Sequence, residues 1–109
     1  MSGCIIIYVT VPDKDTAQRI AADLLEKKLV ACVNITGAVE SVYRWKGALE
    51  KSGELLMIMK TLKGHFGRVR DRVKELHGYE VPEIISVDIA DGYGPYLDWI
   101  KDSVIAEGH

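Results

Sequence analysis

The chain has 109 residues, 48% of them hydrophobic, and 14 Lys and Arg against 16 Asp and Glu leave a formal charge of −2. This length supports one domain, residues 1–109, around one packed core, and the scattered charge with a pI near 5.9 argues against a nucleic-acid or anionic-membrane partner. The apolar start Cys4-Ile5-Ile6-Ile7-Tyr8-Val9 is too short and lacks the flanks of a signal peptide, and no run is long enough to span a bilayer. Cys4 and Cys32 lie far apart in apolar stretches, which suits buried free thiols and a cytoplasmic location.

Cys4 to Val11 is β-branched and apolar on both alternating faces, as expected of a central strand covered on both sides. Pro12 ends it, and Asp13 or Asp15 can cap a helix running to about Lys28, with Ala17, Ile20, Ala21, Leu24 and Leu25 on one stripe. Ala31 to Trp45 reads as a strand interrupted at Gly37. A turn at Lys46-Gly47 and a return strand from about Leu49 to Thr61 follow. Phe66, Val69, Val73 and Leu76 mark a second helix that stops at Gly78. Pro82 opens a fourth strand, in which Ile85, Val87 and Ile89 alternate with Ser86, Asp88 and Ala90 in the half-buried pattern of an edge strand whose other face is wet. Gly94-Pro95 begins a final helix with Leu97, Ile100 and Val104 as its apolar stripe.

The order βαββαβ plus a C-terminal helix predicts an α+β, ferredoxin-like fold with strands one and three central and two and four outside. The second strand alone would span roughly 50 Å if straight, whereas a domain of this size is roughly 35 Å across. The long central hairpin must therefore bend at Gly37 or project, and its outer half carries Val42, Tyr43, Trp45 and Leu49. Contacts between copies of the chain would cover these residues and the exposed strand edge. A twisted hairpin packed on its own monomer is the alternative.

Several segments resemble, in the same order, the CutA divalent-cation tolerance proteins. They are Ala31-Cys32-Val33-Asn34-Ile35, Ser41-Val42-Tyr43-Arg44-Trp45-Lys46-Gly47, Glu54-Leu55-Leu56-Met57-Ile58-Met59-Lys60-Thr61, His77-Gly78-Tyr79-Glu80-Val81-Pro82-Glu83-Ile84-Ile85 and Tyr96-Leu97-Asp98-Trp99. The resemblance implies a homotrimer joined through extended hairpins, an architecture shared with the PII signalling proteins, and a part in tolerance to copper and other divalent metals. It places Gly78 where members usually have Pro. It also puts Val9 where some members carry a cysteine regarded as a copper ligand, so that role does not transfer.

His77, Glu80 and Glu83 form the cluster with metal-like chemistry, an imidazole and two carboxylates in seven residues. In extended chain the two glutamates point to opposite faces, so a shared ion needs help from another subunit, and a hydrogen-bonded loop is the competing reading. Trp45, Lys60 and Tyr79 would form a polar and aromatic cleft between subunits in which Lys60 favours an anion, or Lys60 pairs with a glutamate instead. Cys32 with Met57 and Met59 would suit Cu(I), but the same residues are ordinary core fillers. His65 reads as a solvated residue at a helix start, and Cys4 and His109 lie near the termini.

No nucleophile and base stand at a known spacing, there is no phosphate-binding glycine loop, and the first loop, Val11-Pro12-Asp13-Lys14, lacks the Cys-x-x-Cys of a copper chaperone. Tyr8 is the sole aromatic on the first strand, too few for base stacking. The expected function is thus non-enzymatic, with no obligatory cofactor. Two readings remain: weak binding of Cu(II) or another divalent ion, or a sensor of a small anionic metabolite.

Overall fold

The computed structural model describes residues 2–107. In chain order these form β1 (Cys4–Val11), α1 (Lys14–Glu26), β2 (Cys32–Trp45), β3 (Ala48–Leu62), a 3-10 turn (Lys63–His65), α2 (Phe66–Leu76), β4 (Ile84–Asp88) and α3 (Gly94–Ser103). The sheet order is β2-β3-β1-β4 with every neighbouring pair antiparallel. This is the expected split-βαβ arrangement with β1 and β3 central.

Local chemistry sets the element ends. Asp13 is extended, and its side chain accepts a hydrogen bond from the Thr16 amide at 2.8 Å, which satisfies one open donor of α1. Pro95 sits in the first turn of α3, where its missing N–H costs nothing. At the hairpin tip Lys46 and Gly47 have φ of +50° and +82°, the successive left-handed pair that matches a two-residue turn to the twist of its strands. Gly47 meets that demand at no steric cost.

One face of the sheet carries the main core. Ile5, Ile7, Val9 and Val11 of β1 and Met57 and Met59 of β3 pack under Ala17, Ile20 and Leu24 of α1 and Val69 and Val73 of α2. Leu25, expected on the buried stripe of α1, lies at its margin and is exposed. A smaller cluster of Cys4, Leu62, Ile100 and Val104 lets α3 cover one end of the opposite face. The middle of that face is open. β1 is therefore covered on both sides only towards its ends, at Cys4 and at Thr10, and Ile6 and Tyr8 between them remain half-buried in the single chain.

The faces of β4 are the reverse of the expected alternation. Pairing sets Tyr8 opposite Ile85 and Ile6 opposite Val87, so these two residues join the open face and are 52% and 44% exposed. Ile84, on the other parity, packs against the main core. A strand's apolar alternation names two faces but not which one a helix will cover; register decides that.

The interruption expected at Gly37 is a register shift between Ile35 and Ala38. Before it, Cys32 and Asn34 pair with Lys60 and Ile58; after it, Val39, Ser41 and Tyr43 pair with Glu54, Ser52 and Glu50. The extra residues change the parity of β2 while β3 keeps its own, so the outer hairpin shows a different set of β2 side chains to the open face. The molecule measures 44 × 25 × 23 Å, the long axis expected of a projecting hairpin. Val42, Tyr43, Trp45 and Leu49 are all exposed there, Leu49 to 68%.

Candidate functional site

A cavity of about 700 Å³ lies between the outer hairpin and the loop that follows α2. Ser41, Val42, Tyr43, Trp45, Ser52 and Glu54 form the hairpin wall, and residues 78–81 with Glu83 form the loop wall, with Thr10 between them. The bulge in β2 is what brings Ser41 and Tyr43 to the same side as Ser52 and Glu54.

His77 anchors the loop. It is 8% exposed, its Nε2 lies 2.6 Å from the Thr10 carbonyl, and its Nδ1 accepts the Tyr79 amide at 3.1 Å. Accepting at Nδ1 fixes the tautomer, so Nε2–H donates to Thr10. Both ring nitrogens are thereby committed to backbone. The His77 and Tyr79 rings also touch, with centroids 4.6 Å apart.

Tyr79 carries the link across the cavity. Its hydroxyl donates to Oε2 of Glu54 at 2.9 Å, and Glu54 is 6% exposed. Burial and the Glu54 carboxylate push the Tyr79 phenol up to about 12, because both oppose a phenolate there. Glu80 and Glu83 stand exposed at the rim. Lys46 reaches across from the hairpin tip, its Nζ 3.9 Å from Oε1 of Glu80 and 5.6 Å from the centre of the Trp45 ring.

The expected site residues are thus only partly gathered. Tyr79, Glu80, Glu83, Trp45, Val42 and Tyr43 line one cavity. His77 stands behind it as a structural anchor, and among the described residues no three His, Cys, Asp or Glu side chains are close enough to hold one ion. Lys60 is absent from the cavity. It lies six residues along β3 from Glu54, or roughly 20 Å, with its ammonium donating to Asn34 Oδ1 and 3.7 Å from Cys32 Sγ. Cys32, half-buried on the open face, is opposite in parity to Met57 and Met59, which are fully buried in the main core, so the three sulfurs do not converge. His65 is also not solvated: it is 1% exposed, with Nε2 2.6 Å from the Ile105 carbonyl. Cys4 is buried near its end of the sheet, and His109 is outside the described residues.

The residue that spacing failed to single out is Glu54. It stands at the polar end of the apolar run Leu55–Met59, and a carboxylate abutting a core segment is the signal that could have marked it.

These strands, in this order and with this hairpin, define an α+β, ferredoxin-like domain extended by a β-ribbon. The family described as "CutA1 divalent ion tolerance protein" matches residues 5–103, and the chain belongs to it. It is 43% identical over 98 residues to the divalent-cation tolerance protein CutA of Thermus thermophilus and 46% identical over 98 residues to that of Archaeoglobus fulgidus, covering 90% of this chain and 95% of each relative. The crystal structure of a stable CutA1 from the psychrotrophic bacterium Shewanella sp. SIB1 superposes with a TM-score of 0.92 at 43% identity, covering 95% of this chain and 97% of that one.

Proposed function

We propose that this chain works as a non-enzymatic homotrimer that binds divalent cations, Cu(II) among them, and contributes to metal tolerance in that way. Membership of a divalent-ion tolerance family supports the physiological part of this reading. The observation that carries the chemical part is the charge of the cavity: Glu54, Glu80 and Glu83 line it, and among the described residues no Lys, Arg or His does, Lys46 reaching only Glu80 at the rim. Such a lining attracts cations and repels anions. The anionic-metabolite reading rested on Lys60, which sits elsewhere on the sheet, and it is the weaker of the two.

Glu80 and Glu83 at the rim are the ligands proposed for the ion. Two carboxylates do not complete a coordination sphere, so water and donors from a neighbouring copy supply the rest. The trimer is supported by the open sheet face, where Ile85 and Val87 are exposed beside Ile6 and Tyr8, and by the projecting hairpin. Tyr96 and Trp99 of α3, stacked with centroids 5.5 Å apart and both exposed, extend this apolar surface. We place the protein in the cytoplasm because Cys4 and Cys32 are unpaired. Among the described residues no helix is long and apolar enough to cross a membrane.

Calorimetric titration with Cu(II) of the native protein and of a Glu80→Gln, Glu83→Gln variant tests the metal site. Weaker binding in the variant is expected. Equal binding would remove the cavity rim as the site.

A further inference from the structure

Glu54 and Lys60 carry opposite charges on the same sheet face and cannot meet within one chain. The Tyr79 hydroxyl holds one oxygen of the buried Glu54 carboxylate. The Lys60 ammonium donates to Asn34 Oδ1 and lies 3.7 Å from Cys32 Sγ, an amide oxygen and a thiol sulfur, with no carboxylate beside it. Among the described residues neither Glu54 nor Lys60 takes part in an ion pair within the chain. They stand six residues apart on β3, or roughly 20 Å, farther than a lysine stem reaches.

Both charges belong to the face that the proposed assembly covers. Lys60 is set between Cys32 and Ile6 in the sheet, with Val87 beyond Ile6 and Ile58 next along β3 on the same side. It is already half-buried. Covering this apolar ground with another copy withdraws the ammonium from water, and a withdrawn charge without a counter-charge is strongly destabilising. The same holds at Glu54 once Tyr43 and Trp45, which line the cavity with it, are covered. An assembly that buries both must bring an anion to Lys60 and a cation to Glu54.

The face is complementary to itself. At one end the exposed Trp99 stacks on Tyr96, which reaches Cys32 beside the Lys60 cation. At the other end the exposed Tyr43 and Trp45 stand with the Glu54 anion. Set head to tail, one end of a copy matches the opposite end of the next in both charge and apolar surface. In a closed ring of three, each copy gives Lys60 to one neighbour and receives at Glu54 the lysine of the other, so no charge is left over. Glu80 and Glu83, the ligands proposed for the ion, lie outside this pair.

We infer that Lys60 of one copy forms an ion pair with Glu54 of the next, and that this pair, steadied on its acidic side by the Tyr79 hydroxyl, fixes the register in which the copies assemble. The inference rests on the assembly proposed above and adds the two residues that select its arrangement.

The test is a double-mutant cycle on the assembled protein with Glu54→Gln, Lys60→Met and the two together. Light scattering along a urea series reads the midpoint at which the assembly falls to single chains. Gln keeps an acceptor for Tyr79, and Met keeps most of the lysine stem. Residues this far apart in one chain act additively unless they meet across copies. Each single change strands a charge and is expected to lower the midpoint. The double change strands none and should lower it by less than the sum of the two. Additive effects, with the native protein assembled, would overturn the pair and leave the trimer standing. A native protein that scatters as a single chain would overturn the trimer and the pair together. Should the single variants fail to fold, a crystal structure of the native assembly decides: Lys60 within ion-pair distance of a neighbouring copy's Glu54 upholds the pair, and Lys60 elsewhere overturns it.

Discussion

The hydroxyl of Tyr79 donates to Oε2 of Glu54 at 2.9 Å, and this bond ties the loop after α2 to the outer hairpin across a cavity open to solvent. It joins residues 25 apart in the chain, and the Tyr79 ring that makes it is itself propped by His77. The bond gives the site a fixed depth, because without it Glu54 would have no donor facing it from the loop.

Replacing Tyr79 by Phe removes the donor and leaves a buried carboxylate oxygen without it. The expected loss is about 1–3 kcal/mol of stability, read by denaturant unfolding at neutral pH. A variant as stable as the native protein would show that the bond carries no net weight.

The same tyrosine predicts an alkaline effect. Its phenol, ordinarily near 10, is pushed up to about 12, so the folded state holds this proton more tightly than the unfolded state. The associated stability is complete below about pH 10 and is lost as pH rises toward 12. Ultraviolet titration should find a tyrosine ionising late, and Tyr79→Phe should abolish that late step.

Asp23 predicts an effect of opposite direction. Arg72 binds it through two bonds of 2.8 and 2.9 Å that tie α1 to α2, and Lys27 adds a third at 2.8 Å. The Arg72 bonds, then the Lys27 bond, hold its carboxyl well below the usual carboxylate range. The stabilisation is present above the unfolded value near 4 and is lost only as pH falls through the depressed folded value. Asp23→Asn should cost about 1 kcal/mol at neutral pH, since the pair is partly exposed, and the difference should shrink in strong acid. Thermal scans from pH 7 to pH 2 would record it.

His77→Ala and the pair Glu80→Ala, Glu83→Ala should separate structure from binding. Removing His77 strips the Thr10 carbonyl and the Tyr79 amide of their partner, and about 2–3 kcal/mol of destabilisation is expected. The exposed glutamates should change stability by less than about 0.5 kcal/mol. Equal effects of the two changes would contradict the anchoring role.

Gly47 and Gly78 should respond to alanine with opposite signs. Gly47 has φ of +82°, so a Cβ there strains the hairpin turn by roughly 1 kcal/mol. At Gly78 a Cβ meets nothing within 4 Å, and alanine should stabilise by roughly 0.4–1 kcal/mol through the unfolded chain. Paired melting curves decide both. For assembly, Trp45→Ala and Val87→Glu should each weaken the proposed trimer in size-exclusion chromatography with light scattering.

What the sequence by itself determined was the set of elements and their order. Periodicity, the Asp13 cap, Gly94-Pro95 and the overlong hairpin are local or length-based signals, and each survives folding because backbone geometry alone enforces it. Tertiary structure decided which residues meet. One bulge between Ile35 and Ala38 turns Ser41 and Tyr43 to the side of Ser52 and Glu54, and no local pattern encodes that change of parity; Lys60 shares that face of β3 but lies six residues further along. His77 looked like a ligand because imidazole chemistry reads the same in any sequence. Its commitment to the Thr10 carbonyl, 67 residues away, exists only once the loop closes over β1. Glu54 went unread for the same reason: a glutamate in a hairpin is ordinary until Tyr79 covers it and leaves its charge facing the cavity.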